Sequence, residues 1–158
     1  MVAAKPGAKA PKFKVPSTGG GFRLGDQGRD NLVVYFYPRD NTPGCTLEGS
    51  DFRDLAPEFR RARTRILGIS TDTLESHRKF KEKMGFPFEL GSDEDHAVAS
   101  QFGVWRQKNM YGRKMMGIER STFLIDGEGV LRAEWRGIKV AGHVDEILKA
   151  VKGLKKAA

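Results

Sequence analysis

Short apolar runs and longer amphipathic ones alternate along this chain, and the alternation predicts its elements. After a start rich in Lys, Pro, Ala and Gly, KFKVP (12–16) and GFRL (21–24) read as two short strands around an STGG turn. NLVVYFYP (31–38) is continuously apolar and rich in β-branched and aromatic residues, which predicts a strand buried on both faces. Leu47, Phe52, Leu55 and Phe59 then share one face of a helix expected over 45–62, with Pro57 either kinking it or starting a second segment. RILGIS (65–70) reads as another buried strand. Residues 71–85 read as a helix capped by Thr71 or Asp72 and stopped by Gly85.

The second half predicts a short extended piece at FELGSD (88–93), a helix near 93–103, strands ERSTFLID (119–126) and VLRAEWRG (130–137) joined by GEG, and a final helix over 143–154. A β-α-β-α series followed by a β-hairpin and a terminal helix implies an α/β protein with a central mixed sheet flanked by helices, the arrangement of the thioredoxin-like fold. A length of 158 residues with 39% hydrophobic content suits one domain over 1–158. For WRQKNMYGRKMMG (105–117) two readings stand, plain packing and the lining of a pocket for bulky substrates, and irregular apolar residues beside glycine favour packing.

Composition narrows the partners. The opening stretch MVAAKPGAKAPKFKVP lacks the apolar region of a secretion signal, and LVVYFY is too short to span a bilayer, so a cytoplasmic protein without membrane association is expected. The net charge of +8 raises nucleic acid as a partner. Much of the excess, however, sits at 58–65 and 148–156, near expected helix C-termini where cations complement the dipole, and no basic-plus-aromatic module is present, which disfavours nucleic acid. His77, His96 and His143 lie far apart with no matching ligand nearby in sequence, so no metal site is expected.

The candidate chemistry rests on Cys45, the only cysteine, which excludes an internal disulfide. A lone cysteine is ordinarily a small buried hydrophobe. Cys45, however, follows the end of a strand and the turn residues TPG and opens a helix, where the dipole and free backbone N–H groups stabilise a thiolate. PRDNTPGCT resembles the P-x-x-x-T-x-x-C signature of the peroxiredoxins, and TPGCTLEGSDFRD with GIERSTFLID resembles their Q-type subfamily, also called bacterioferritin comigratory protein. The likeness runs from GAKAPKF to the final helix.

The resemblance implies a thiol-dependent peroxidase of antioxidant defence, reducing hydrogen peroxide and organic hydroperoxides through a cysteine sulfenic acid without metal, haem or flavin. It implies Cys45 as the peroxidatic cysteine, Thr42 and Pro38 as its neighbours, and Arg120 as the arginine that completes the pocket from a distant strand. Taken alone, Arg120 reads as a surface ion pair with Glu119 or Glu134, and Thr42 with Pro43-Gly44 as a turn. Glu48 reads as an acid favouring the helix start. Lowering a thiol pKa by about three units needs about 4 kcal/mol, and a helix terminus supplies at most about 2, so a second cation is required. Ionisation alone does not accelerate the reaction much: a roughly thirty-fold gain in thiolate is nearly cancelled by the lower nucleophilicity of a less basic sulfur. Donors on the departing oxygen must supply the rest.

Many Q-type enzymes carry a resolving cysteine five residues after the first or in the following helix; here those positions are Ser50 and Lys81. An external thiol is therefore the expected reductant, whether thioredoxin, glutaredoxin or a small thiol, acting on a monomer or weak dimer. The alternative is a thioredoxin-fold binding protein with an inert thiol, associated with nucleic acid.

Overall fold

The computed structural model describes residues 5–157, so the first four residues of the basic opening stretch lie outside it. Its centre is a five-stranded mixed sheet in the order β5-β4-β3-β8-β9. These strands are β3 (Asn31–Phe36), β4 (Thr64–Ser70), β5 (Glu89–Ser92), β8 (Ser121–Ile125) and β9 (Leu131–Arg136). β3 runs parallel to β4 and β4 to β5, whereas β8 is antiparallel to both β3 and β9. The continuous apolar run of β3 is explained by its central place. Leu32, Val34 and Phe36 enter one core cluster while Val33 and Tyr35, with Tyr37 just beyond the strand, enter the other, as the two-residue period requires.

Three helices bring apolar side chains to the second cluster: α1 (Pro43–Arg61) through Phe52, Ala56 and Phe59, α2 (Leu74–Met84) through Phe80, and α4 (His143–Ala157) through Val144, Ile147, Leu148 and Val151. The first cluster is closed by Phe13, by Val98 and Ala99 of the short α3 (Ala97–Gln101), and by Phe102. The expected hairpin at the start is present as β1 (Lys14–Val15) and β2 (Phe22–Arg23). The thioredoxin-like α/β arrangement read from the pattern is thus the one observed.

Three local expectations are corrected. α1 runs unbroken through Pro57, with no second segment; burial of Phe52, Ala56 and Phe59 on both sides of the proline outweighs the lost backbone hydrogen bond. The cap of α2 is Thr73, whose hydroxyl accepts the Ser76 N–H at 3.1 Å, because Asp72 is used elsewhere. Of residues 105–117, Trp105 does pack, against the first core cluster and stacked on His96 at 4.2 Å. The stretch builds an antiparallel ribbon, β6 (Trp105–Met110) and β7 (Arg113–Ile118), outside the central sheet, and Met115 and Met116, expected to pack, are half exposed.

Candidate active site

The local sequence builds the start of α1 directly from the end of β3. Tyr37 donates its backbone N–H to Ile69 at 3.0 Å, the half-buried Pro38 leaves the sheet, and Asn41 reverses the chain at φ 65°, a left-handed value asparagine tolerates. Thr42 is the N-cap with extended backbone angles, and Pro43 follows as the first helical residue. The Thr42 hydroxyl does not cap the helix; it donates to the Arg39 carbonyl at 2.9 Å. Cys45 lies in the first turn, 1% exposed. There the uncapped N–H groups of the helix start remain free for an anionic or polar oxygen.

Arg120, in the link between β7 and β8, reaches this turn. Its Nη2 donates to Cys45 Sγ at 3.3 Å and its Nη1 to Glu48 Oε1 at 2.6 Å. Gly44 makes the approach possible, since a Cβ there would stand 3.1 Å from Arg120 Nη2. The surface pairs expected for Arg120 are taken by others: Glu119 faces Arg106 and Glu134 faces Arg136. Burial works against the Arg120 charge, but the neighbouring Glu48 and Cys45 outweigh it and hold the guanidinium pKa above its ordinary value.

Glu48 is not a first-turn acid. It sits one turn along α1, 0% exposed, and among the described residues its Oε2 has no hydrogen-bond partner. Burial pushes its carboxyl up to about 7, against the pull of Arg120 and with a further push from Asp51. Tyr35, stacked on Phe52 at 4.4 Å, lies behind the site; burial, then the Glu48 and Cys45 charges, raise its phenol well above the usual range. His143 at the start of α4 shares a 2.9 Å hydrogen bond with Thr122 Oγ1, and burial together with the Arg120 charge lowers it to about 4. It is therefore a neutral wall at neutral pH. Lys108 of β6 stands near the same charges, and burial followed by Arg120 lowers its ammonium pKa.

A second polar cluster braces the loop before Cys45. Asp40 accepts from Tyr37 Oη at 2.6 Å and from Ser76 Oγ at 2.8 Å, and its Oδ2 lies 2.8 Å from His77 Nδ1. His77 Nε2 faces the Gly91 carbonyl at 2.9 Å, while Asp72 accepts the Asp40 N–H at 2.9 Å and the Ser70 hydroxyl at 2.5 Å. Asp40, Asp72 and His77 offer ligand atoms within 4.8 Å of one another, a grouping that linear spacing could not show because three separate segments supply it. These atoms are engaged in hydrogen bonds within the protein, so the cluster reads as a brace for the 38–42 loop.

Cys45 and Arg120 are thus in contact, Thr42 caps the helix that carries the sulfur, and Pro38 stands at the strand end that launches the loop. Thr42 makes no hydrogen bond to Cys45 among the described residues. Sequence reasoning undervalued Glu48 and passed over Lys108. The signal for Glu48 was its place three residues after Cys45, which puts both on one helix face. A cavity of about 1120 Å³, lined by Phe13, Leu24 and Val98 among others, does not include Cys45. Charge and geometry mark the site here, and volume does not.

Residues 6–134 match the AhpC/TSA family. The chain is 54% identical over 121 residues to peroxiredoxin Bcp of Xanthomonas campestris, covering 77% of this chain and 76% of that one. It is 47% identical over 149 residues to peroxiredoxin Bcp of Bacillus subtilis, covering 94% and 95%. Among solved structures, the bacterioferritin comigratory protein of Xanthomonas campestris, described for alkyl peroxide reduction, superposes with a TM-score of 0.84 at 48% identity over 89% of this chain and 90% of that one. Peroxiredoxin Q of Xylella fastidiosa superposes with a TM-score of 0.91 at 37% identity over 98% and 99%.

Proposed function

The chain belongs to the AhpC/TSA family as a Q-type (Bcp) peroxiredoxin, a thiol-dependent peroxidase, and from that premise we propose that Cys45 is its peroxidatic thiol and Arg120 its activating cation. The observation that carries the assignment is the single guanidinium bound to the sulfur at 3.3 Å and anchored by buried Glu48. An inert thiol would have no need of a half-buried cation at hydrogen-bond distance.

In the proposed step the Cys45 thiolate attacks the terminal oxygen of the peroxide. The S–O bond forms as the O–O bond breaks, and the electron pair leaves on the departing alkoxide or hydroxide, which takes up one proton to give alcohol or water. Cys45 remains as a sulfenic acid. Arg120 and the free N–H groups at the start of α1 stabilise the charge developing on the oxygens, and Pro38 limits water access. The Thr42 hydroxyl, already donating to Arg39, keeps its lone pairs for the peroxide proton and so orients the O–OH group. The thiolate, the peroxide and one proton balance the step, so it requires no metal, haem or flavin.

Ser50 and Lys81 occupy the positions where a resolving cysteine would stand, and both are committed elsewhere: Ser50 Oγ donates to Leu47 O at 2.9 Å, and Lys81 Nζ to Phe86 O at 2.8 Å and Phe88 O at 3.0 Å. An external thiol therefore returns Cys45 to the reduced state. A cytoplasmic setting suits this cycle, since thiol reductants are abundant there; among the described residues no helix is long and apolar enough to cross a membrane. We also read residues 1–158 as one domain, because both core clusters share the same central sheet.

The test is peroxide consumption by wild type and by Cys45→Ser with a supplied thiol, with intact-mass measurement after one equivalent of peroxide without thiol. Wild type should consume peroxide and gain one oxygen, and Cys45→Ser should do neither. Equal consumption by both proteins would overturn the assignment.

A further inference from the structure

The polar cluster behind the loop before Cys45 can be accounted for hydrogen by hydrogen. His77 is 0% exposed, and each of its ring nitrogens faces an acceptor: Nδ1 the Asp40 carboxylate at 2.8 Å, Nε2 the Gly91 carbonyl at 2.9 Å. Two hydroxyls stand farther off, Tyr37 Oη at 3.4 Å from Nδ1 and Ser70 Oγ at 3.5 Å from Nε2. Neither has a hydrogen to give the ring, because Tyr37 donates to Asp40 Oδ1 at 2.6 Å and Ser70 to Asp72 Oδ2 at 2.5 Å. A carbonyl oxygen only accepts, so Nε2 carries a hydrogen. Asp40 already accepts from Tyr37 and, at 2.8 Å, from Ser76 Oγ, which suits a carboxylate, so Nδ1 carries a hydrogen too.

The cluster acts on one peptide unit. The Asp40 N–H donates to Asp72 Oδ2 at 2.9 Å, and the Arg39 carbonyl of the same trans peptide accepts the Thr42 hydroxyl at 2.9 Å. In a planar trans peptide the N–H and C=O point in opposite directions, so fixing one aims the other. Asp40 is held at its backbone by Asp72 and at its side chain by Tyr37, Ser76 and His77. The carbonyl that takes the Thr42 hydrogen is thereby fixed from outside the loop, by Ser76 and His77 of α2, Gly91 of β5 and Ser70 at the end of β4.

We propose that His77, donating through both ring nitrogens, is a positioning residue for the peroxide step: it holds Asp40, and with it the peptide between Arg39 and Asp40, so that the Thr42 hydroxyl keeps its hydrogen on Arg39 and its lone pairs toward the peroxide. The proposal rests on the peroxidase reading above and adds to it a histidine that linear spacing left without a role. A hydroxyl free to turn would spend part of its time with its hydrogen toward the peroxide, and the alignment of the O–OH group would be lost. The ring's own hydrogen bonds run to Asp40 and Gly91, so its effect on the reaction passes through Asp40.

The test uses the reduced full chain. With nitrogen-15 in histidine alone, long-range proton–nitrogen spectra read both nitrogens of each of the three imidazoles. His77, identified by its contact with the Tyr37 ring 6.2 Å away, should show a hydrogen on each. Two variants separate its bonds: His77→Asn places an amide nitrogen where Nδ1 stands and keeps the donor to Asp40, whereas His77→Gln places one where Nε2 stands and keeps only Gly91. The rate of the first oxidation of Cys45 by hydrogen peroxide should fall by about ten-fold in His77→Gln and by less than about three-fold in His77→Asn. Iodoacetamide labelling of Cys45, which needs a thiolate but no orienting hydroxyl, should stay within about two-fold of wild type in both. Added to Thr42→Val, His77→Gln should cost no more than about a further two-fold, because the hydroxyl it positions is gone. A single ring hydrogen on His77 would overturn the proposal, and that reading needs no variant to fold. A ten-fold loss repeated in the Thr42→Val background would overturn it as well, as would a His77→Gln rate equal to wild type. Failure of wild-type Cys45 to gain oxygen from peroxide would overturn the peroxidase reading, and this proposal with it, whatever the ring hydrogens show.

Discussion

Glu48 carries the most quantitative consequence of this site. Its carboxyl is raised from 4.5 to about 7, chiefly by burial, even with Arg120 beside it. The folded protein therefore binds this proton more tightly than the unfolded chain, and stability falls as pH rises from about 4.5 through about 7. At about 1.4 kcal/mol per unit, that loss is about 3 kcal/mol. His143 works in the opposite sense: lowered from 6.5 to about 4, it binds its proton less tightly when folded, so stability falls as pH drops through the same interval, by a similar amount. Between about 4.5 and 6.5 the two slopes largely cancel in wild type.

Glu48→Gln keeps the shape and an acceptor for Arg120 but removes the proton, leaving the His143 slope exposed. Urea unfolding of both reduced proteins at pH 4.5, 5.5, 6.5 and 7.5 measures this. Variant minus wild-type stability should grow by about 3 kcal/mol across the series, whatever its value at the acid end. Two curves parallel to within about 1 kcal/mol would mean that Glu48 is ionised throughout and that burial does not govern it.

Arg120→Met should slow peroxide reduction on the order of 10²-fold or more, and raising the pH until the thiol ionises should restore only part of it; full recovery would limit Arg120 to holding the thiolate. The same variant should lose more stability at pH 8 than at pH 6, since Glu48, lacking its cation, can take a proton at the lower value. Thr42→Val should cost less than about 1 kcal/mol in urea unfolding because its hydroxyl does not cap α1, while the peroxide rate falls by about ten-fold or more; an unchanged rate would make Thr42 a turn residue only.

Much of this protein was legible in its linear pattern because the information is local. The β3 run is apolar on both faces, Gly85 ends α2 at φ 67°, and Cys45 stands at the start of the helix that follows β3, although that helix begins at Pro43, two residues before the expected start, with Pro43-Gly44 inside it instead of in a turn. Pairing Cys45 with Arg120 needed more than local pattern: taken alone the arginine read as a surface cation, and the resemblance to a family joined the two. The choice of Thr73 over Asp72 as the cap of α2 depended on Asp72 being drawn to Asp40 and Ser70.

The chemistry of a carboxylate or an imidazole depends on what lies across from it, and the chain does not carry that information in neighbouring letters. Glu48 looks like any acid on a helix until Arg120, 72 residues away in sequence, meets it in a space closed to water. The methionines of the ribbon look like core until the central sheet closes without them. Sequence by itself determined where the reactive sulfur stands and why its helix starts there, because capping and strand burial act over a few residues. Tertiary structure decided which charges the sulfur shares its cation with and which apolar side chains remain outside, because desolvation and Coulomb energy are set by distance in space.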